Sequence, residues 1–192
     1  MNLYLLLLTL VGVLFMIVLV YATYKNAYND KIDALLANNK IVPLEANDDL
    51  LNHPITDFYI NTSHNTYIEG TQHASVVTIN PIRDALRKGA RCIELDISSI
   101  LSYPIVAHGD KNAITTSFIS LEDALKAVRQ YGFNTSDPLI LCLEIFDTSK
   151  TDMNIKIRDL LLKTFGDKIW IPNSPFHLVP IRSLLNKIIL VG

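Results

Sequence analysis

From Ile55 onward the chain alternates short apolar runs with stretches of helical periodicity, and this alternation limits the fold more than any other feature. The runs are Phe58-Tyr59-Ile60, Cys92 to Asp96, Ile105-Val106-Ala107, Leu139 to Leu143 and Lys187 to Val191. Each is a short apolar run, as strands are. Between most of them lie helices. Pro81 to Lys88 ends on Gly89, which suits the left-handed position after a helix. Ser120 opens the stretch to Val128, with a hydroxyl that can accept from free backbone N–H groups and with Glu122 and Asp123 facing the dipole. Leu121, Leu125 and Val128 then share one face. Thr151 to Phe165 is a third helix, closed by Gly166. Strands alternating with helices imply an α/β fold with a parallel sheet, either a barrel or doubly wound.

The N-terminus differs. Met1 to Tyr24 carries no charged side chain, and Leu3 to Tyr21 is almost wholly apolar. About 20 such residues in a helix cross a hydrocarbon core of about 30 Å. Tyr4, Tyr21 and Tyr24 stand near the ends, where amphipathic rings suit the headgroup region. A signal peptide cleaved after Ala22 is opposed by the lack of Lys or Arg before the run and by its length. A buried soluble helix is opposed by the lack of a polar face. The expected division is a transmembrane anchor over 1–24, a tether over 25–52 and one domain over 53–192. Lys31 to Ala37 could form a short helix in the tether, broken by Asn38-Asn39 and Pro43. Lys25 and Lys31 follow the span and no basic residue precedes it, so the positive-inside rule puts the domain in the cytoplasm. A net charge of −2 over 192 residues gives no footprint for nucleic acid. Cys92 and Cys142 make neither a disulfide framework nor a zinc motif, and read as small core residues.

The strand-like runs do not end as apolar strands usually do. The first leads into Ser63-His64-Asn65, the second carries Glu94 and Asp96, the third ends at His108-Gly109 and the fourth at Glu144. Strand faces alternate with period two, so Cys92, Glu94 and Asp96 share a face, as do Cys142 and Glu144, while Ile93 and Leu95 point toward covering helices. In a parallel barrel such strand ends form one rim, where active sites are built. Three carboxylates and the Asn65 amide are hard oxygen donors suited to Ca²⁺ or Mg²⁺, and without a cation the carboxylates would repel. Two histidines beside such a cation suit acid–base work on a phosphate ester. His53, His73 and His177 fit no such pattern and read as surface or loop residues.

Taken in order, Phe58-Tyr-Ile-Asn-Thr-Ser-His-Asn-Thr-Tyr67, Gly89-Ala-Arg-Cys-Ile-Glu-Leu-Asp96, Pro104-Ile-Val-Ala-His-Gly109 and Asp137-Pro-Leu-Ile-Leu-Cys-Leu-Glu144 resemble the four motifs of the X region of eukaryotic-type, calcium-dependent phosphoinositide-specific phospholipase C. The resemblance runs from about Ile55 to the last residue. It implies a TIM-barrel-like fold, of which this sequence holds the N-terminal half to five-eighths of a (β/α)8 barrel. It implies a phosphodiesterase that cleaves a phosphoinositide to diacylglycerol and an inositol phosphate through a cyclic phosphate. His64 then stabilises charge on the phosphoryl group as the inositol 2-hydroxyl attacks, and His108 is the general acid toward the diacylglycerol oxygen. Asn65, Glu94, Asp96 and Glu144 hold Ca²⁺, and Glu94 or Glu144 accepts the hydroxyl proton. Bacterial enzymes of this fold carry an arginine in place of the metal, and none stands at the matching position.

The sequence also departs from the family. Ile97-Ser-Ser-Ile-Leu-Ser replaces an aromatic and an acidic-glycine turn, and Val191 stands where the family carries a phosphate-binding lysine. The Y half is absent from this sequence. The expectation is therefore a part-barrel with open edges at Phe58-Tyr59-Ile60 and Lys187 to Val191, relieved by self-association or by a separate Y-half partner. Two other readings stand beside the membrane-bound lipid enzyme: a non-catalytic interaction module with an X-like fold, and a metal-dependent glycerophosphodiesterase. The full set of acids and histidines favours an enzyme, and Ser63 to Tyr67 favours the phospholipase.

Overall fold

The computed structural model describes residues 3–38, 41–71, 74–110, 113–146, 151–172, 175 and 178–192. The chain forms two compact units, Met1–Lys40 and Ile41–Gly192. In the first, helix α1 spans Leu3–Asn38 without interruption. Within it Leu6–Tyr28 is long and apolar enough to cross a membrane, and none of that window is buried. The segment expected to be a tether is divided. It remains helical through Asn38, and from Ile41 it belongs to the second unit, where the Leu44 backbone N–H donates to Asp137 Oδ1 at 2.8 Å.

The second unit is an α/β domain. Its strands are β1 (Thr62–Ser63), β2 (Ile68–Thr71), β3 (Ala74–Val77), β4 (Cys92–Ile100), β5 (Tyr103–Asp110), β6 (Ala113–Ser120), β7 (Leu139–Ile145) and β8 (Ile188–Val191). Its helices are α2 (Asn80–Arg87), α3 (Leu121–Tyr131) and α4 (Thr151–Phe165). β1, β4, β7 and β8 pair in that order, all parallel. β2 and β3 form a separate antiparallel hairpin.

Face parity organises the packing. Ile93, Leu95 and Ile97 of β4 and Leu139, Leu141 and Leu143 of β7 are buried in one core with Ile82 and Leu86 of α2, Leu121, Leu125 and Val128 of α3, and Met153, Ile157 and Leu161 of α4. Each such fully buried side chain contributes about 1.5–3 kcal/mol. The opposite face is layered. In register, Cys92 lies beside Ile140, Glu94 beside Cys142 and Asp96 beside Glu144. Below these, Ile140 joins a second cluster built on Leu51, Ile55, Val179, Ile181, Leu184 and Ile189. The inner face therefore runs from an apolar floor, through two thiols, to an acidic rim.

The helix ends follow the local chemistry read from the sequence. Ser120 Oγ accepts the Asp123 N–H at 3.0 Å and donates to Asp123 Oδ2 at 2.7 Å. Gly89, after α2, has φ of +90°, a conformation that costs a residue with a Cβ.

Three strand expectations are corrected. Phe58-Tyr59-Ile60 is not a strand: a 3-10 turn over Ile55–Asp57 precedes it, and Phe58 and Ile60 pack against the floor cluster. The first parallel strand begins at Thr62. Ile105-Val106-Ala107 is a strand but not a parallel one. β5 returns antiparallel along the far half of β4, with Ile97 opposite Val106 and Ile100 opposite Tyr103. The reason is loop length. Only Leu101 and Ser102, both left-handed, join the two strands, whereas a parallel crossover needs a dozen or more residues. Finally, β6 and the β2–β3 hairpin are additions to the strands read from the sequence.

Candidate active site

The acidic rim forms where β4 and β7 deliver Glu94, Asp96 and Glu144 to one face. One carboxylate oxygen from each lies within 4.8 Å of the others. Oxygens on a single Ca²⁺, bound at about 2.3–2.6 Å, lie no further apart than about 5.2 Å, so this spacing fits one hard divalent cation. Glu94 is fixed from the loop after β1. The Asn65 backbone N–H donates to Glu94 Oε2 at 3.0 Å, and Thr66 N–H donates to the Glu94 carbonyl at 3.3 Å. Asn65 takes φ of 50°, a left-handed position that asparagine tolerates better than most residues.

Two histidines flank the acids. His64 Nε2 lies 3.3 Å from Glu94 Oε2, and its side chain is 71% exposed, so it is open to a substrate. His108 Nδ1 lies 3.7 Å from Asp96 Oδ2, with the ring largely covered. His108 reaches the site from β5, which runs against the direction expected for it. The pairing of β5 with β6 shifts register between Ala107 and Gly109, and Gly109 takes φ of 141°. Such irregularities re-aim side chains, and here the residue at the break is His108.

Tyr67 is the residue that sequence reasoning passed over. It is fully buried. Its hydroxyl donates to Asn65 Oδ1 at 2.9 Å and lies 3.5 Å from His108 Nδ1. Asp96 is a second acceptor within its reach. One phenol thus touches three of the expected site residues. Burial, then the hydrogen bond to Asp96, push its pKa far above the ordinary 10, so it stays a donor. The available signal was a large aromatic two residues beyond Asn65 in a run of small polar residues.

Burial also raises the Asp96 carboxyl above its ordinary range, and Glu94 adds to this. The Tyr67 hydrogen bond and the two histidines pull the other way. A bound cation would relieve the burden.

The structure thus brings together His64, Asn65, Glu94, Asp96, His108 and Glu144. His53 lies apart, exposed and 3.1 Å from Asp57 Oδ2; His73 and His177 lie outside the described residues. Cys92 and Cys142 are not core residues: both are free, partly exposed and on the inner face, with sulfurs 3.8 Å apart. Burial, then Cys92 and Glu94, push the Cys142 thiol up to about 11.

Residues 51–192 match the family model described as phosphatidylinositol-specific phospholipase C, X domain. The chain belongs to this family. It is 34% identical over 142 residues to phosphoinositide phospholipase C 7 of Arabidopsis thaliana, covering 72% of this chain and 23% of that protein. It is 42% identical over 96 residues to 1-phosphatidylinositol 4,5-bisphosphate phosphodiesterase delta-4 of Bos taurus, covering 49% and 12% respectively. The crystal structure of L. pealei PLC21 matches with a TM-score of 0.64 at 25% identity, over 73% of this chain and 19% of that one. The α/β arrangement is that of the TIM-barrel-like phospholipase C domains. The chain spans less than a quarter of the length of either curated relative.

Proposed function

We propose that this chain is a calcium-dependent phosphodiesterase that cleaves a phosphoinositide to diacylglycerol and an inositol phosphate, by way of a cyclic phosphate. The observation that carries the reading is the convergence of Glu94, Asp96 and Glu144 within 4.8 Å, with His64 against one acid and His108 against another. Hard oxygen donors at this spacing suit calcium, held by the three carboxylates and Asn65; when bound it neutralises the phosphate and favours ionisation of the attacking hydroxyl.

The side chains divide the remaining work. His64, exposed, donates to a phosphoryl oxygen and stabilises the charge that develops there. Glu94 or Glu144 takes the proton of the inositol 2-hydroxyl. His108, oriented through Nδ1 by Asp96 and Tyr67, gives a proton to the departing diacylglycerol oxygen. The parallel strands β1, β4, β7 and β8 form part of a (β/α)8 barrel. Residues 1–24 anchor the chain in the bilayer that holds its substrate, residues 25–52 lead into the catalytic domain over 53–192, and that domain faces the cytoplasm.

The test is release of radiolabelled headgroup from phosphatidylinositol vesicles by the full chain. Activity is expected with calcium and not in excess chelator. Equal release in both conditions would overturn the metal assignment.

A further inference from the structure

The catalytic reading leaves Cys92 and Cys142 unused. They are the only cysteines of the chain. They come from neighbouring parallel strands: Cys142 lies beside Glu94 in register, and Cys92 stands two positions before Glu94 on its own strand. Their sulfurs stand 3.8 Å apart, and both residues are partly exposed on the inner face. Nothing in their spacing of 50 positions along the chain announces the meeting; the pairing of β4 with β7 creates it.

We propose that Cys92 and Cys142 form a site for a soft divalent cation of the zinc and cadmium class, which binds both sulfurs as thiolates with release of two protons to solvent, distinct from the hard-oxygen cluster beside it. The distance suits such an ion. Two thiolates on one tetrahedral zinc, each at about 2.3 Å, are separated by about 3.8 Å. The observed separation therefore needs no movement of either strand. Register argues against a disulfide: Cys142 lies two positions beyond Ile140, the partner of Cys92. Strands about 4.8 Å apart with a rise of about 3.3 Å per residue put such diagonal α-carbons roughly 8 Å apart, beyond the about 4.4–6.8 Å that a disulfide spans. Ligand type separates the two layers. Thiolates select soft ions and carboxylates select hard ones, so each layer prefers a different metal.

The layers are also coupled. Glu94 is the register partner of Cys142 and lies two positions beyond Cys92 on the same strand. Register partners are about 4.8 Å apart and next-but-one residues about 6.6 Å, so ions held by the thiols and by the carboxylates repel. Cation binding in one layer weakens binding in the other, and by linkage the weakening is equal in both directions. The thiol pair is thus an inhibitory site for soft metals, placed beside the proposed calcium site.

The test is titration of the full chain, in detergent, with Cd²⁺, read by the ultraviolet thiolate-to-cadmium charge-transfer band. Cadmium bound to carboxylates gives no such band, so the readout is independent of whether the chain cleaves a phospholipid. The expected result is saturation at one cadmium per chain, with apparent affinity lowered several-fold by saturating calcium. Cys92→Ser and Cys142→Ser should each weaken binding tenfold or more, and the double variant should show no band. Alanine at the same positions must give the same losses, with melting profiles retained. Absence of a band in the wild type would overturn the proposal, as would wild-type affinity in either single variant. A band unaffected by calcium would overturn the coupling.

Discussion

Replacement of Asp96 with Asn should change the metal-free and metal-bound protein in opposite directions. Asp96 has two carboxylate neighbours, each with an oxygen within 4.8 Å. At that distance a pair of like charges repels by about 0.9 kcal/mol in water-like surroundings and about 3.5 kcal/mol at an effective dielectric of about 20. Glu144 is exposed, so its pair with Asp96 lies near the lower value. Weaker hydrogen bonding by a neutral acceptor to Tyr67 and His108 offsets about 1 kcal/mol. The net effect in chelator is a stabilisation of about 1–3 kcal/mol. For a unit of about 150 residues this raises the melting temperature by about 2–12 °C. The wild type should gain about 2.7 kcal/mol from calcium at 100 times its Kd, and Asp96→Asn should gain little. Trp170, the single tryptophan, packs against the floor cluster, so its fluorescence reports melting of this unit. The pH dependence follows with a definite sign. Because burial raises the native Asp96 pKa, the metal-free native state keeps a proton that the unfolded chain has released. Wild-type stability should therefore fall as pH rises from the ordinary carboxylate value through the native one, and Asp96→Asn should lose that slope. A metal-free Asp96→Asn protein that melts below the wild type, yet keeps the full calcium-induced shift, would refute the reasoning.

Three further outcomes are expected. His108→Ala should slow cleavage more for a substrate with a basic alkoxide leaving group than for one with an activated phenol, by on the order of 10²-fold or more, and equal losses on both would exclude His108 as the acid. Tyr67→Phe should weaken calcium binding, measured by calorimetry, by about 1–3 kcal/mol through loss of the donor to Asn65 Oδ1, and its effect should not add to that of Asn65→Ala in a double-mutant cycle; full additivity would exclude a role for the Tyr67–Asn65 hydrogen bond. The full chain should stay in the membrane pellet through alkaline and high-salt washes, whereas a mature N-terminus near Thr23 would point to signal cleavage.

Local chemistry was the legible part of this sequence. Ser120 caps α3 and Gly89 closes α2 because both signals act within a turn of chain. The common face of Glu94 and Asp96 follows from strand parity alone, and so does the burial of Ile93 and Leu95. Parity is blind to strand direction, however. His108 reaches the site from an antiparallel strand, and the only clue was the two-residue link at Leu101-Ser102, which is too short for a crossover. Phe58 and Ile60 alternate as a strand would, yet their apolar side chains go to the floor cluster instead of a ladder. The roles of Tyr67 and of the thiol pair depend on contacts across 41 and 50 positions of chain, which no local pattern encodes.

The central claim is that two histidines and a cation-binding acidic rim together cleave a phosphoinositide at the diacylglycerol oxygen. Phosphorus NMR of phosphatidylinositol vesicles incubated with the full chain tests it most directly, because the spectrum identifies the product as well as the rate. The account predicts a calcium-dependent cyclic inositol phosphate signal, formed with diacylglycerol and absent for His108→Ala. Release of a glycerol phosphate, or loss of substrate without any cyclic phosphate in the presence of calcium, would contradict it.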